Sequence, residues 1–142
     1  IIDENNIFDN IIFSGYYQQL EDTYNNVAKA KVVIVPGITE PLNSTVRESM
    51  LMGQPTICYE APSTLKINEE KQCLFLAKMR DVNDLAKQMI ITLEDYEKLN
   101  QVALNGKEYA ENNFSNKAIV NQLLENCELI VKNYYSQTTI NR

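Results

Sequence analysis

Short apolar runs alternate with stretches of helical period along most of the chain. "NIIFSG" (10–15) reads as a buried strand ending at Gly15. "QLEDTYNNVAKA" follows, with Leu20, Tyr24, Val27 and Ala28 on one helical face. "KVVIVPG" (31–37) carries the strongest strand signal, being β-branched, apolar throughout and stopped by Pro36-Gly37. A helix is predicted from about Thr45 to Met52, with Gly53 as its C-terminal cap residue. "QPTICYE" and "CLFLA" (73–77) read as further strands, Pro55 standing where its missing donor is tolerated.

The last third is helical by the same criterion. Asp81 opens a segment with Val82, Leu85, Ala86, Met89, Ile90 and Leu93 at helical spacing. "EDYEKLNQVALNGKEYAEN" is a second helix. A third follows Ser115, with Ile119, Leu123, Cys127, Ile130 and Tyr134 on one face, and "SQTTINR" (136–142) is expected to be a frayed polar tail. Alternating strands and helices, with strands apolar on both sides, specify an α/β fold. Its expected form is a parallel sheet covered by helices on both faces. Ligands in such folds bind at the carboxyl ends of the strands, against helix N-termini.

Composition narrows the chemistry. The chain has 142 residues, one domain's worth, with 44% hydrophobic and 23% charged residues. A net charge of −6 without a Lys/Arg cluster argues against nucleic acid as a partner. The complete lack of histidine removes most nucleophile–base arrangements and the usual zinc sites. Cys58, Cys73 and Cys127 are odd in number and far apart, and read as reduced core residues of a cytoplasmic protein. No signal peptide or membrane span is visible, and the first residues, "IIDENN", lack a methionine, as a fragment would.

The stretch "PGITEPLNSTVRESMLMGQPT" (36–56) is the leading site candidate. Glu40 and Glu48 flank the junction between the strongest strand and the helix after it. One reading is local: Thr45-Val46-Arg47-Glu48 has the pattern of a capping box, which leaves Glu40 a solvated loop acid beside Pro41. The other is functional. One carboxylate stands at the strand's end and the other a turn inside the helix, with the backbone amides of Leu42 to Thr45 between them. Carboxylates accept from vicinal hydroxyls and helix-start amides suit an anion, so the pair fits a phosphorylated, sugar-bearing ligand.

At these residues the sequence resembles a family. "VVIVPG-ITE-PLNSTVRESMLMGQPTIC" is similar to the donor-binding segment of retaining, two-Rossmann-domain (GT-B) glycosyltransferases of the Glu-x7-Glu type, the glycosyl transferases of group 1. Val33 to Pro36 match the strand, Glu40 and Glu48 the acids, Met50 the Met, and Gly53 with Pro55 the Gly-x-Pro. "NIIFSGYY", "INEEKQCLFLAKMRDVNDLAKQM" and "ENNFSNKAIVNQLL" extend the similarity, so that it spans roughly residues 10–135. Three departures stand out: Gly37 replaces a usual Ser, Pro41-Leu42-Asn43 a common Gly-Phe-Gly, and Ser49 an Ala.

The resemblance implies a Rossmann-like, C-terminal, nucleotide-sugar-binding domain over 1–142, incomplete because its first strands are missing. It implies that Glu48 holds ribose hydroxyls and that Glu40 contacts the donor sugar near the reacting carbon, the catalytic position. Gly37, Leu42, Asn43, Ser44 and Thr45 would complete the donor site. The co-substrate would be a nucleotide-diphosphate sugar, with no metal or other cofactor required. The family's diphosphate-binding Arg/Lys pair has no match here; Arg47 and Lys66 are the basic residues nearest the expected crevice, and both are expected to be solvated.

The N-terminal acceptor domain is also absent from these residues, so the fragment is expected to be inactive alone. Self-association through the truncated sheet is expected, and localisation is expected to be cytoplasmic, at the inner membrane face in the full-length protein. Rival readings are a non-catalytic GT-B-like partner subunit, a nucleotide-sugar epimerase domain, and a receiver-like signalling module. The last would need a phospho-accepting Asp where the central strand ends in Pro36-Gly37, with Asp3, Glu4 and Asp9 before the first strand.

Overall fold

The computed structural model describes residues 10–140, and the side chains of 10–134. Residues 1–9, with Asp3, Glu4 and Asp9, and residues 141–142 lie outside the described residues. The elements run α1 (Leu20–Val27), β1 (Val33–Val35), α2 (Ser44–Leu51), β2 (Thr56–Tyr59), α3 (Pro62–Ile67), β3 (Phe75–Ala77), α4 (Val82–Glu94), α5 (Tyr96–Asn113) and α6 (Asn116–Ile140). The strands form one parallel sheet in the order β1-β2-β3, in the register Val33↔Thr56 and Ile57↔Phe75. The expected α/β class with a parallel sheet is what the chain adopts.

Alternation along the strands divides the core between the two faces of the sheet. On one, Val35, Cys58 and Leu76 pack with Val46 and Met50 of α2, Ile67 of α3 and Ala110 of α5. On the other, Ile57 and Phe75 pack with Leu85 and Met89 of α4 and with Val102 of α5. Ile34 is in register with Ile57 and yet stays 37% exposed, because β1 is the edge strand and the cover on that side thins out.

Two junctions fix how α2 and α5 sit. At the end of α2, Gly53 adopts φ +72; its amide donates to Met50 O and the Gln54 amide to Ser49 O, the paired bonds of a Schellman cap. In α5, a Cβ built on Gly106 would stand 2.7 Å from the carbonyl oxygen of Cys73, so the helix lies directly against the backbone leading into β3. Asp81 and Asp95 cap α4 and α5 by accepting from the amides of Asp84 and Lys98. The buried Thr64 hydroxyl bonds Tyr59 O and accepts from the Ala61 amide, which ties the end of β2 to α3.

Four expectations are corrected. Residues 10–15 form no strand: Ile12 and Phe13 are 90% and 74% exposed, since no neighbouring strand offers them hydrogen bonds or cover. α3 was not foreseen between β2 and β3. Cys127 is exposed on α6 while Cys58 and Cys73 are buried, and Ile119, Leu123, Ile130 and Tyr134 are exposed with it. Finally, α6 continues to Ile140, through five positions expected in the tail. Among the described residues no helix is long and apolar enough to cross a membrane.

Candidate functional site

The carboxyl end of β1 leads through Pro36 and Gly37 into a turn that ends at Asn43, the N-cap of α2. The Asn43 side chain accepts from the Val46 amide at 3.1 Å. The helix therefore begins at Ser44, and Thr45 is its second residue. The capping box read at Thr45-x-x-Glu48 does not form, because the helix already starts at Ser44, which puts Thr45 inside it and gives the Glu48 amide an intrahelical carbonyl four residues back. Glu48 stands in the second turn of α2, with its carboxylate exposed.

Helical spacing puts Ser44, Thr45 and Glu48 on one exposed strip of α2, three and four residues apart. The opposite side of the helix is buried through Val46, Ser49 and Met50. The amides of Ser44 and Thr45 lie in the first turn, where no intrahelical acceptor exists. Partial positive charge at that helix end and a carboxylate one turn further along make a surface suited to a phosphate next to a hydroxyl-bearing group.

The loop that bears Glu40 is held from below. Pro41 is buried, and Leu42 packs against the core cluster of Val35 and Val46. Glu40 itself is exposed. A Cβ on Gly37 would approach Asn43 Nδ2 at 3.2 Å and the Glu40 carbonyl oxygen at 3.3 Å, so the turn folds back over the bare α-carbon of Gly37. Of the residues expected at the site, Gly37, Glu40, Leu42 and Asn43 lie in the turn from β1 to α2, Ser44 and Thr45 in the first turn of that helix, and Glu48 in its second. Leu42 faces the core, leaving only its backbone for a ligand, and the Asn43 side chain is engaged as the cap.

Three concavities, of about 360, 510 and 460 Å³, lie elsewhere, and none is lined by Glu40 or Glu48. The first is a polar groove beside the Lys71–Glu108 ion pair, and it includes Lys66. Lys66 is therefore turned away from the expected crevice, and Arg47 is exposed on α2. Sequence reasoning also missed the role of Ser49. Its hydroxyl donates to Val46 O or shares a proton with Thr56 Oγ1 at 2.8 Å, inside the core, where the resembled pattern has Ala. Asn is a good N-cap former, but so is Thr, and the sequence does not choose between Asn43 and Thr45. Among the described residues no group of three or more Cys, Asp or Glu side chains is placed to hold a metal ion.

A family model described as "Glycosyl transferases group 1" matches residues 1–109. No curated protein sequence matches the chain. Among solved structures, sucrose-phosphate synthase from Thermosynechococcus elongatus is similar with a TM-score of 0.77 at 24% identity, over 92% of this chain and 33% of that one. Anabaena Alr3699/HepE in complex with UDP is similar with a TM-score of 0.78 at 23% identity, over 89% of this chain and 34% of that one. The same protein in complex with UDP and glucose gives 0.76 at 23% identity, with the same coverage. At these identities the likeness is one of fold. The chain spans about a third of the length of these solved structures.

Proposed function

The chain belongs to the glycosyl transferases group 1 family, and from that membership we propose that it is the donor-binding part of a glycosyltransferase. The donor is a nucleotide-diphosphate sugar, and transfer to a glycan or lipid-linked acceptor proceeds with retention at the anomeric carbon. Glu48 accepts from the ribose hydroxyls. Glu40 accepts from the donor sugar's hydroxyls beside the reacting carbon. The amides of Ser44 and Thr45, at the positive end of α2, offset charge on the diphosphate as its bond to the anomeric carbon breaks. The HepE complexes with UDP and with UDP and glucose support the donor class.

One observation carries this reading. Because Asn43 caps α2, Glu48 has no capping duty and is exposed on the same strip as Ser44 and Thr45. The exposed acids at this junction fit a crevice completed by a second domain that carries the acceptor. By themselves these residues transfer no sugar, and the edge of β1, which pairs with no further strand among the described residues, promotes self-association.

Titration calorimetry with UDP and with UDP-glucose tests the proposal. Glu48→Ala should weaken both ligands about tenfold, the scale of one charge-assisted hydrogen bond. Glu40→Ala should weaken UDP-glucose and leave UDP unchanged. Equal affinities for parent and both variants would remove the two acids from the site.

A further inference from the structure

We propose that Asn43 is a positioning residue for Glu40, acting as one half of a matched pair with Gly37. Three constraints meet at residue 43. Its side-chain oxygen takes the Val46 amide, its backbone carbonyl takes the Arg47 amide at 3.3 Å, and its Nδ2 rests over Gly37. The site of the missing Gly37 side chain is 3.2 Å from that nitrogen and 3.3 Å from the Glu40 carbonyl oxygen. A side chain at 37 would thus press on the Asn43 amide and on the main chain of Glu40 together, and one of them would have to give by a few tenths of an ångström. Pro41 and Leu42, packed inward just beyond, leave the turn little room to yield elsewhere.

The two departures from the resembled pattern then become one. That pattern puts a side chain at 37 and none at 43, whereas this chain puts none at 37 and one at 43. The same space is filled from the other side of the turn. A Cβ added at 37 has two ways out: it displaces the Asn43 amide and disturbs the cap, or it displaces the backbone of Glu40. The second moves the carboxylate-bearing turn directly, and the first loosens the cap that anchors its far end. Asn43→Ser separates the roles, because a serine oxygen still caps the helix but brings no amide group over residue 37.

The role in ligand binding rests on the donor-site reading above, while the coupling of the pair stands on geometry alone. The test compares the parent chain with Gly37→Ala, Asn43→Ser and the double variant, each labelled with nitrogen-15. Either single change should shift the amide resonances of residues 38–40 and 42, and the double should return them toward the parent. In titrations, each single change should weaken UDP-glucose about threefold to tenfold while UDP stays within about twofold, and the double should regain most of the loss.

Additive effects, or unmoved resonances in Gly37→Ala, would overturn the pairing. Equal weakening of UDP and UDP-glucose would reduce Asn43 to a helix cap. Binding of neither nucleotide by the parent would overturn the donor reading and with it the role of Asn43. The resonances would still decide whether the two residues are coupled.

Discussion

The hydroxyls of Ser49 and Thr56 meet at 2.8 Å inside the core, joining α2 to the first residue of β2. Each also has a backbone carbonyl within reach, Val46 O at 2.9 Å and Gln54 O at 3.0 Å. Two protons thus serve three contacts. Ser49→Ala leaves the Thr56 proton its carbonyl, so the cost should be about 1 kcal/mol rather than that of an orphaned group. Thr56→Val should cost a similar amount. Urea unfolding of the double variant should show a loss smaller than the sum by about 0.5 kcal/mol or more; strict additivity would mean that the two hydroxyls do not interact.

Capping at the site is a stability question that can be answered without any ligand. Asn43→Ala should destabilise the chain by about 1 kcal/mol, the usual loss for a helix N-cap. Thr45→Ala and Glu48→Gln should leave the urea midpoint nearly unchanged, because neither side chain caps the helix. A loss at Thr45 or Glu48 equal to that at Asn43 would restore the capping box.

Gly106 should resist the replacement that helix propensity favours. Alanine in the interior of α5 would gain about 1 kcal/mol by propensity alone. Its Cβ, however, would stand 2.7 Å from the Cys73 carbonyl, a backbone atom that cannot rotate away. Overpacking of this kind costs about 1–3 kcal/mol, so Gly106→Ala should lower the thermal midpoint. A raised midpoint would show that α5 can lift off β3 at little cost.

Alkaline pH offers a separate handle. Burial pushes the Cys58 thiol up to about 12 from an ordinary 9.0, and burial raises Cys73 as well. The folded state thus holds these protons more tightly than the unfolded one. Their contribution to stability is fully present below pH 9 and is lost as pH rises toward 12. The urea midpoint should fall over that window, and Cys58→Ala should flatten the fall while lowering the starting value. At pH 8 a thiol reagent should modify Cys127 rapidly and the other two cysteines only on unfolding.

The parts of the fold that sequence made legible are those whose signal is local. Val33–Val35, Thr56–Tyr59 and Phe75–Ala77 are short apolar runs, and Asp81 and Gly53 mark helix ends by their own chemistry. "IIFS" carries the same apolar signal, but strand formation also needs a partner edge, which no pattern within the segment can supply. α3 is six residues long, too short to show a period, and announces itself only through Pro62 in its first turn. At the site, the spacing of Glu40 and Glu48 was readable. The choice between Asn43 and Thr45 as cap was not, because both residue types can cap, and the contact of Asn43 with Gly37 depends on how the turn folds back.

α6 has one sequence pattern and two mechanical situations. Its first turn sits against the end of α5, whereas from Ile119 to Tyr134 every side chain is exposed. Most helical stability in proteins comes from packing of one helix face rather than from propensity. Amide protons beyond the first turn should therefore exchange with deuterium orders of magnitude faster than those of α5, although both segments are α-helical. Any surface that lies down along that apolar stripe would announce itself first as a slowing of this exchange, residue by residue, before any change in the domain beneath.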